Sequence, residues 1–285
     1  MKVTIIGSSG FIGRHLSAAL RARGDSVVGV SFREPTTAWR ECGGADAVVN
    51  LAGENIAQRW THTAKEQIRS SRVDAPRGLI EMLGALETPP RAYISASAVG
   101  YYGPSETQTF TEASPPGNDF LAEVCRAWEE EAQKAAVHGC RVAIVRCGVV
   151  LATDGGVLAR TLPIFRLGAG GIVGSGNQWY SWIHIDDVVG IYKMAIDGAA
   201  GVFNATAPNP VRNRDFTRAL AGALHRPAFV RVPDAALEKM LGEGAVIATQ
   251  GQCVLPERTL AQGYGFAYTQ VERALGALVQ KKAKS

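Results

Sequence analysis

The first half of the chain alternates short hydrophobic runs with amphipathic stretches. "KVTIIG" is a β-branched run that ends in glycine, and this pattern predicts a buried strand. "FIGRHLSAALRARG" follows with apolar residues at helical spacing and predicts a helix that stops at Gly24. Further strands are predicted at "SVVGVSF", "DAVVNLAG", "AYISASAVG" and "CRVAIVRCGVVL", with helical stretches at residues 62 to 85 and 118 to 137. This alternation predicts an α/β fold with a parallel sheet covered by helices on both faces.

The alternation becomes less regular after about residue 150. A glycine-rich stretch precedes the aromatic strand "WYSWIHI", and a helix follows whose N-cap is predicted at Asp186 or Asp187. "GVFNAT" predicts one more strand. Prolines then divide the remaining sequence into short segments, which predicts a smaller C-terminal α+β lobe of helices and short strands.

Charge and cysteine usage narrow the classes of function. A net charge of +4 over 285 residues gives no sign of a nucleic-acid partner, and the basic end "QKKAKS" is interpreted as a solvated terminus. The five cysteines are odd in number and form no CxxC pair or metal-like cluster, which favours reduced thiols and no metal site. The stretch "MKVTIIGSSGFIG" is not expected to be a signal peptide, because its apolar run is short and is broken by glycine and serine, and no run reaches the ~18 apolar residues of a membrane span. The sequence therefore predicts a cytoplasmic or organelle-matrix protein with a small-molecule substrate and no membrane contact.

A glycine-rich turn stands between the first predicted strand and the first predicted helix. It reads "Gly7-Ser8-Ser9-Gly10-Phe11-Ile12-Gly13". Glycines permit a tight turn and a close approach of the backbone, and the free N–H groups of a helix start attract a pyrophosphate. This context predicts a dinucleotide-binding, Rossmann-type doubly wound sheet with contacts from Gly7, Ser9, Gly10, Phe11, Ile12 and Gly13.

The end of the second strand bears on the choice between NAD and NADP. The chain reads "Val30-Ser31-Phe32-Arg33-Glu34" at this point. An acid here would bind the ribose 2′-hydroxyl of NAD, whereas an arginine accepts the 2′-phosphate of NADP. Ser31 and Arg33 therefore favour NADP(H). The alternative is that Arg33 is only a solvated surface residue, and the acidic Glu34 next to it keeps NAD open.

Several longer stretches resemble a known family. "NLAGENIAQRWT", "SRVDAPRGL", "SASAVGYYG", "DFLAEVCRAWE", "FRLGAGGIVGSGNQWYSWIHIDD" and "GQCVLPERTLAQGYGF" are similar to an atypical branch of the short-chain dehydrogenase/reductases. This branch comprises the epimerase family proteins, relatives of the extended NAD(P)-dependent epimerases and dehydratases, which end in a C-terminal domain of unknown function. The resemblance implies NADP(H) binding and is compatible with a homodimer, since the superfamily often dimerises through helices.

The expected domains follow from these patterns. Residues 1–165 form the NADP(H)-binding Rossmann domain, to which segments between about 180 and 207 return. Residues 208–285 form the smaller lobe and contribute to the substrate cleft.

The superfamily's catalytic residues are matched only in part. Ser97 stands where the superfamily has a serine, but the Tyr-x-x-x-Lys pair on the next helix is replaced by Phe120 and Val124 or by Leu121 and Cys125. An apolar group cannot exchange a proton, so that mechanism is not carried over. Ser97 and Tyr101 are the remaining catalytic candidates, with a strand-end capping role for Ser97 and a packing role for Tyr101 as the alternatives.

The resemblance also implies further cofactor contacts. They are Leu51, Ala52, Gly53, Glu66, Arg72 and Cys125, although "TAKEQIRSSR" can equally be a solvated charged face and Cys125 a small buried hydrophobe. The sequence leaves two hypotheses for function. One is an oxidoreductase or isomerase of a small polar molecule, and the other is a non-catalytic NADP(H)-binding sensor or structural protein.

Overall fold

The computed structural model describes residues 1–281 and has a six-stranded parallel sheet at its centre. Residues 282–285 of the basic run "QKKAKS" lie outside the described part. The sheet order is β2-β1-β3-β4-β6-β11, and every neighbouring pair is parallel. Its strands are β1 Lys2–Ile6, β2 Ser26–Val30, β3 Ala47–Asn50, β4 Ala92–Ala98, β6 Arg141–Cys147 and β11 Gly201–Ala205. This sheet confirms the predicted Rossmann-type α/β fold.

Helices cover both faces of this sheet. The helices of the first half are α1 Phe11–Ala22, α2 Pro35–Cys42, α3 His62–Ser70, α4 Asp74–Leu83 and α5 Phe120–Gln133. Helices α1 and α7 (Ile185–Ile196) pack on one face, where Leu16 and Val188 share a core with Val3 and Ile94. Helices α2, α4 and α5 pack on the other face. Alternate residues of each strand therefore serve opposite cores, as a sheet buried on both sides requires.

The remaining elements build a second lobe. Its strands form two-stranded pairs: β5 Thr109–Phe110 with β14 Cys253–Val254, β7 Val149–Leu151 with β10 Trp182–His184, β8 Gly171–Val173 with β13 Val230–Val232, and β9 Trp179–Tyr180 with β12 Val211–Arg212. Its helices are α6 Gly156–Arg166, α8 Asn213–Leu224, α9 Asp234–Leu241, α10 Val246–Thr249, α11 Glu257–Ala261 and α12 Val271–Lys281. Leu158 and Phe165 of α6 share a core with Leu220 of α8 and Leu275 of α12. The hydrophobic core of this lobe therefore begins before residue 165.

Some local expectations need correction. The helical stretch 62 to 85 is two helices, because the chain turns at Ser71–Val73. The N-cap of α7 is His184, whose Nδ1 accepts the N–H of Asp186, so the prediction of Asp186 or Asp187 as the cap is wrong. Asp187 instead accepts the backbone N–H groups of Ala267 and Tyr268 and the hydroxyl of Tyr264.

Two further features complete the fold. Helix α2 was not expected from the sequence; Pro35 lies at its start, and only Ala38 and Cys42 of it are buried. Within residues 1–281, no helix combines the length and the apolar character needed to span a bilayer.

Candidate cofactor site and active site

The glycine-rich turn lies where the strand order reverses. The chain runs outward from β1 to β2 and then returns to β3 on the other side of β1, which makes the crevice at which ligands of open α/β sheets bind. Gly7 has a φ of 83°, which favours glycine. A Cβ at Gly13 would lie 2.2 Å from the carbonyl oxygen of Gly7. The turn can therefore adopt this backbone conformation only with glycine at position 13.

The start of α1 presents unsatisfied backbone donors to this crevice. Its N-cap is Gly10, which offers no side-chain acceptor, and its first turn contains no acidic residue. The free N–H groups and the positive end of the helix dipole thus suit an anion. Ser9 is exposed at the turn. The cradle fits the pyrophosphate of a dinucleotide.

The end of β3 lies against the same turn. A Cβ at Gly7 would be 3.0 Å from the amide nitrogen of Ala52 and 3.1 Å from the carbonyl carbon of Leu51. Leu51 and Ala52 are half-buried and Gly53 is exposed. The structure therefore brings the predicted residues of both segments together along one edge of the sheet.

A loop from the second lobe covers the other side of the turn. A Cβ at Gly155 would lie 2.2 Å from the Phe11 ring. Next to it, both carboxylate oxygens of Asp154 lie 3.1 Å from Nε2 of His15 on α1. Phe11 is thus held between the turn and the second lobe, beside the half-buried Ile12.

Arg33 follows β2 and is open to solvent. Its backbone N–H donates to Oγ of Ser31 at 3.2 Å. Its guanidinium makes no hydrogen bond and no ion pair with any residue between 1 and 281, and Glu34 begins helix α2 as its N-cap. The Arg33 donors are therefore free to bind an anion at the end of the second strand.

Ser97 belongs to a buried polar network at the carboxyl end of β4. Its hydroxyl donates to Oε1 of Glu129 on α5 at 2.6 Å, and Glu129 binds Nε and Nη2 of Arg146 on β6 at 2.8 and 2.7 Å. Arg146 also donates to the hydroxyl of Tyr102 at 2.9 Å, and that hydroxyl donates to Asn204 on β11 at 2.7 Å. Five structural elements are thereby linked: β4, α5, β6, β11 and the 3₁₀ turn Val99–Tyr102.

Burial and charge act in opposite directions on this network. Burial alone would lower the pKa of Arg146, but the hydrogen bonds and the charge of Glu129 outweigh it and raise the pKa. Burial raises the pKa of Tyr102 to about 12, although Arg146 opposes the shift. Both the cation of Arg146 and the neutral phenol of Tyr102 are therefore stable at neutral pH.

Tyr101 lies next to this network, on the 3₁₀ turn Val99–Tyr102. The guanidinium carbon of Arg146 is 3.4 Å from the centre of its ring, a cation–π contact that fixes the ring. The ring is half-buried, and its hydroxyl has no hydrogen-bond partner among residues 1–281. The cation–π contact therefore fixes the Tyr101 ring, and the hydroxyl is available to form a hydrogen bond with a ligand.

The structure decides which residues of α5 replace the missing pair. A Cβ at Gly100 would lie 3.3 Å from Cβ of Leu121 and 3.9 Å from Sγ of Cys125. Phe120 instead packs edge-on against Trp60, with ring centroids 5.2 Å apart. Leu121, Cys125 and Glu129 therefore form the row of α5 that faces the Ser97–Tyr102 segment.

The thiol of Cys125 is part of the apolar wall in this row. Burial raises its pKa to about 12, with Glu129 adding to the effect and Arg72 and Ser97 opposing it. The thiol is therefore protonated at neutral pH, which fits a buried hydrophobe and not a nucleophile.

Arg72 and Glu66 differ in position. The Arg72 guanidinium lies beside Gly53, where a Cβ would be 2.9 Å from its Cζ. Glu66 is exposed on α3 and pairs with His62 at 3.4 Å, because it lies half a turn from the buried row of Ala64 and Ile68. The structure thus leaves Glu66 outside the cluster that the other predicted cofactor residues form.

Sequence reasoning missed two members of the buried network. Arg146 and Asn204 both lie in segments whose hydrophobic pattern predicts only buried strands. A charged residue inside the buried run "RVAIVRC" was an available signal, because a buried arginine requires a partner. Among residues 1–281, no group of three or more His, Cys, Asp or Glu side chains is arranged to hold a metal ion.

Comparison with known proteins gives two family matches. Residues 3–205 match the NAD dependent epimerase/dehydratase family, and residues 232–278 match a domain of unknown function, DUF1731. The chain is 43% identical to the chloroplastic epimerase family protein SDR39U1 homolog of Arabidopsis thaliana, over 98% of this chain and 87% of that one. It is 36% identical to epimerase family protein YfhF of Bacillus subtilis, over 98% of both chains.

A solved structure is similar over nearly the whole chain. The crystal structure of human epimerase family protein SDR39U1, isoform 2, with NADPH superposes with a TM-score of 0.91 at 34% identity. The match covers 98% of this chain and 99% of the human one.

Proposed function

The chain belongs to the NAD dependent epimerase/dehydratase family, as one of its epimerase family proteins with a C-terminal domain of unknown function, and on that premise we propose an activity. The proposed activity is that of an NADP(H)-dependent oxidoreductase or isomerase of a small polar molecule. The observation that carries it is the glycine cradle at the reversal of the strand order, with the unpaired guanidinium of Arg33 at the end of the neighbouring strand.

Several features of the site support NADP(H) as the cofactor. The N–H groups of Gly7 and Gly10 donate within the turn, to Val30 and Gly7, so the free N–H groups at the start of α1, those of Phe11 and Ile12, would hold the pyrophosphate. Arg33 with Ser31 would hold the 2′-phosphate. The human relative was crystallised with NADPH and has the same fold at 34% identity. Bound NADP(H) would supply or accept the hydride.

The chain's own residues suit proton exchange at one position. The Tyr101 hydroxyl has no hydrogen-bond partner among residues 1–281, and Arg146 keeps the ring in place. We therefore assign Tyr101 as the group that exchanges a proton with the substrate. Ser97 directs its own proton at Glu129, so only the lone pairs of its Oγ remain to accept a substrate hydroxyl.

One observation favours a second candidate function, a non-catalytic NADP(H) binder. Leu121 and Cys125 face the Ser97–Tyr102 segment where the superfamily carries its acid–base pair, and neither can exchange a proton at neutral pH. A binder of this kind would sense the redox state of the cofactor or support a partner.

The cofactor assignment is tested by binding affinity. We expect NADPH to bind more tightly than NADH, and Arg33→Ala to weaken NADPH alone by about 10- to 150-fold, the value of ~1.5–3 kcal/mol for a charge-assisted hydrogen bond. Arg40→Ala removes another exposed arginine of the same region and should change neither affinity. Equal affinities for the two cofactors in the wild type would reject the NADP(H) assignment.

The two candidate functions are separated by turnover. Turnover is measured on a panel of aldehydes, ketones and sugar nucleotides in two ways: NADPH oxidation by absorbance detects a reductase, and chromatography of the compound detects an isomerase, which leaves the cofactor unchanged. Turnover that Tyr101→Phe reduces at least about tenfold, without loss of NADPH affinity, supports the enzyme and the role of Tyr101. Binding of NADPH with no turnover on any compound supports the binder.

A further inference from the structure

Because the lysine of the superfamily is missing, the row of Leu121, Cys125 and Glu129 on α5 has no positive charge. In the superfamily that this chain resembles, the lysine of the pair holds the nicotinamide ribose. Cys125 takes its place here, since Cys125 lies one turn beyond Leu121 on the row that faces Gly100. A thiol with a pKa of about 12 carries no charge at neutral pH and cannot take over that role.

A guanidinium from another helix lies next to this position. Arg72 stands in the turn between α3 and α4, and its Cζ is 5.3 Å from the ring centre of Trp128 on α5. Trp128 lies three residues after Cys125 on the same helix, and the charge of Arg72 opposes the rise that burial causes in the pKa of Cys125. On its other side Arg72 touches Gly53, at the end of β3 and thus at the edge where the cradle lies.

The contacts of Arg72 are all with neutral groups. Nη2 donates to the carbonyl of Glu54 at 2.9 Å, and Nη1 donates to the carbonyl of Ile68 at 3.1 Å and to Oγ of Ser71 at 3.4 Å. No carboxylate between residues 1 and 281 lies within ion-pair distance of it. Burial lowers the pKa of Arg72, and the nearby Cys125 and Glu54 oppose this only in part.

Two backbone carbonyls and one hydroxyl accept hydrogen bonds from Arg72, and other N–H donors of its guanidinium have no partner among residues 1–281. A guanidinium has five N–H donors, and a half-buried cation without an anion gains from an anion or from electron-rich hydroxyls. A Cβ at Gly53 would be 2.9 Å from Cζ of Arg72, so glycine at this position lets the guanidinium lie directly against the end of β3.

We propose that Arg72 supplies, from the α3–α4 turn, the positive charge that α5 lacks, and that it binds the nicotinamide-ribose half of NADP(H). This rests on the proposed binding of NADP(H). It assigns the two ends of the cofactor to two arginines, Arg33 for the adenosine 2′-phosphate and Arg72 for the nicotinamide side.

Two ligands separate these ends. NADPH carries both halves, whereas adenosine 2′,5′-bisphosphate carries only the adenosine half with its 2′-phosphate. Dissociation constants for both ligands are measured by calorimetry on wild type, Arg72→Gln, Arg72→Lys, Arg33→Ala and Arg69→Gln. Arg69 is the matched control, because it is an exposed arginine on α3 whose nearest acid is Asp74 at 3.8 Å.

The proposal predicts a different pattern for each arginine. Arg72→Gln should weaken NADPH by about 10- to 150-fold and leave the bisphosphate within about twofold of wild type. Arg72→Lys keeps a charge without the planar fork and should retain an intermediate affinity. Arg33→Ala should weaken both ligands, and Arg69→Gln should weaken neither.

Three results would overturn the assignment. Unchanged NADPH affinity in Arg72→Gln, or equal losses for the two ligands in a variant that melts like the wild type, would remove Arg72 from the nicotinamide side. If Arg72→Gln does not fold, wild-type affinity of Arg72→Lys for NADPH would do the same. Failure of wild type to bind either ligand would instead reject the cofactor assignment itself.

Discussion

The buried pair of Glu129 and Arg146 allows a quantitative test of the site. Glu129→Gln keeps the shape of the side chain and removes its charge. Arg146 is 3% exposed, so it cannot turn to water for compensation. The glutamine amide offers one acceptor where the carboxylate now receives Ser97 and two nitrogens of Arg146.

The expected cost follows from this geometry. Removal of one partner of a buried ion pair costs about 3–5 kcal/mol, because the other charge stays buried and uncompensated. The entropy of unfolding is about 0.6 kcal/mol/K for 285 residues, at ~2.1 cal/mol/K per residue. The variant should therefore melt roughly 5–8 °C below the wild type.

Calorimetric melting of five proteins provides the measurement: the wild type, Glu129→Gln, Arg146→Met, the double variant of these two substitutions, and a control. Glu130→Gln is the control, since Glu130 neighbours Glu129 on α5 but is exposed, and its 3.9 Å contact with Arg126 contributes ~0.5 kcal/mol. The double variant Glu129→Gln/Arg146→Met removes both charges and should melt above Glu129→Gln alone.

Two outcomes would refute the argument. Equal melting temperatures of Glu129→Gln and Glu130→Gln would show that the carboxylate is not the partner that Arg146 requires. Additive effects of the two substitutions in the double variant would show that the two charges are not coupled.

Three further expectations concern the turn, acid stability and a thiol. Gly13→Ala should weaken NADPH binding by more than about tenfold, and an affinity equal to that of the wild type would contradict the cradle. Gly78→Ala is the control, since no atom lies within 4 Å of the added carbon, and it should stabilise the protein by ~0.5–1 kcal/mol. Hydrogen bonds from Arg77 depress the pKa of Glu131 below 4.5, so its stabilisation is present above that pH and is lost as the pH falls through the folded value. The stability difference between wild type and Glu131→Gln, measured by urea unfolding, should therefore shrink in acid, and a constant difference would reject this origin. Cys125, with a pKa of about 12, should resist iodoacetamide at pH 8 until the protein unfolds; mass spectrometry showing alkylation of the folded protein would contradict its burial.

The sheet and its glycine turn were predictable because their signals are local. β-branched runs, a strand–turn–helix sequence and the alternation with helices specify the six parallel strands and the position of Gly7 to Gly13. Helix α2 was missed, since only Ala38 and Cys42 of it are buried and its apolar signal is short.

The candidate site was predictable only in part, because its contacts join distant segments. Ser97 and Tyr101 could be recognised from one motif. Nothing near Arg146 in the sequence indicates that it binds Glu129 and stacks on Tyr101. The register of α5 was open in the sequence between two pairs of residues, and only the contact of Gly100 with Leu121 and Cys125 decides it.

The polar network has a consequence for the modularity of the chain. The two matched family regions end and begin at residues 205 and 232, as if they were separable. Yet Asn204 donates to the carbonyl of Leu255, and the carboxylate of Glu112 accepts the backbone N–H of Asn204 and of Arg258. A fragment that stops at residue 205 would lose the hydrogen bonds to Leu255 and Arg258, and a lobe exchanged between relatives would have to restore them. The two regions are therefore expected to fold as one unit.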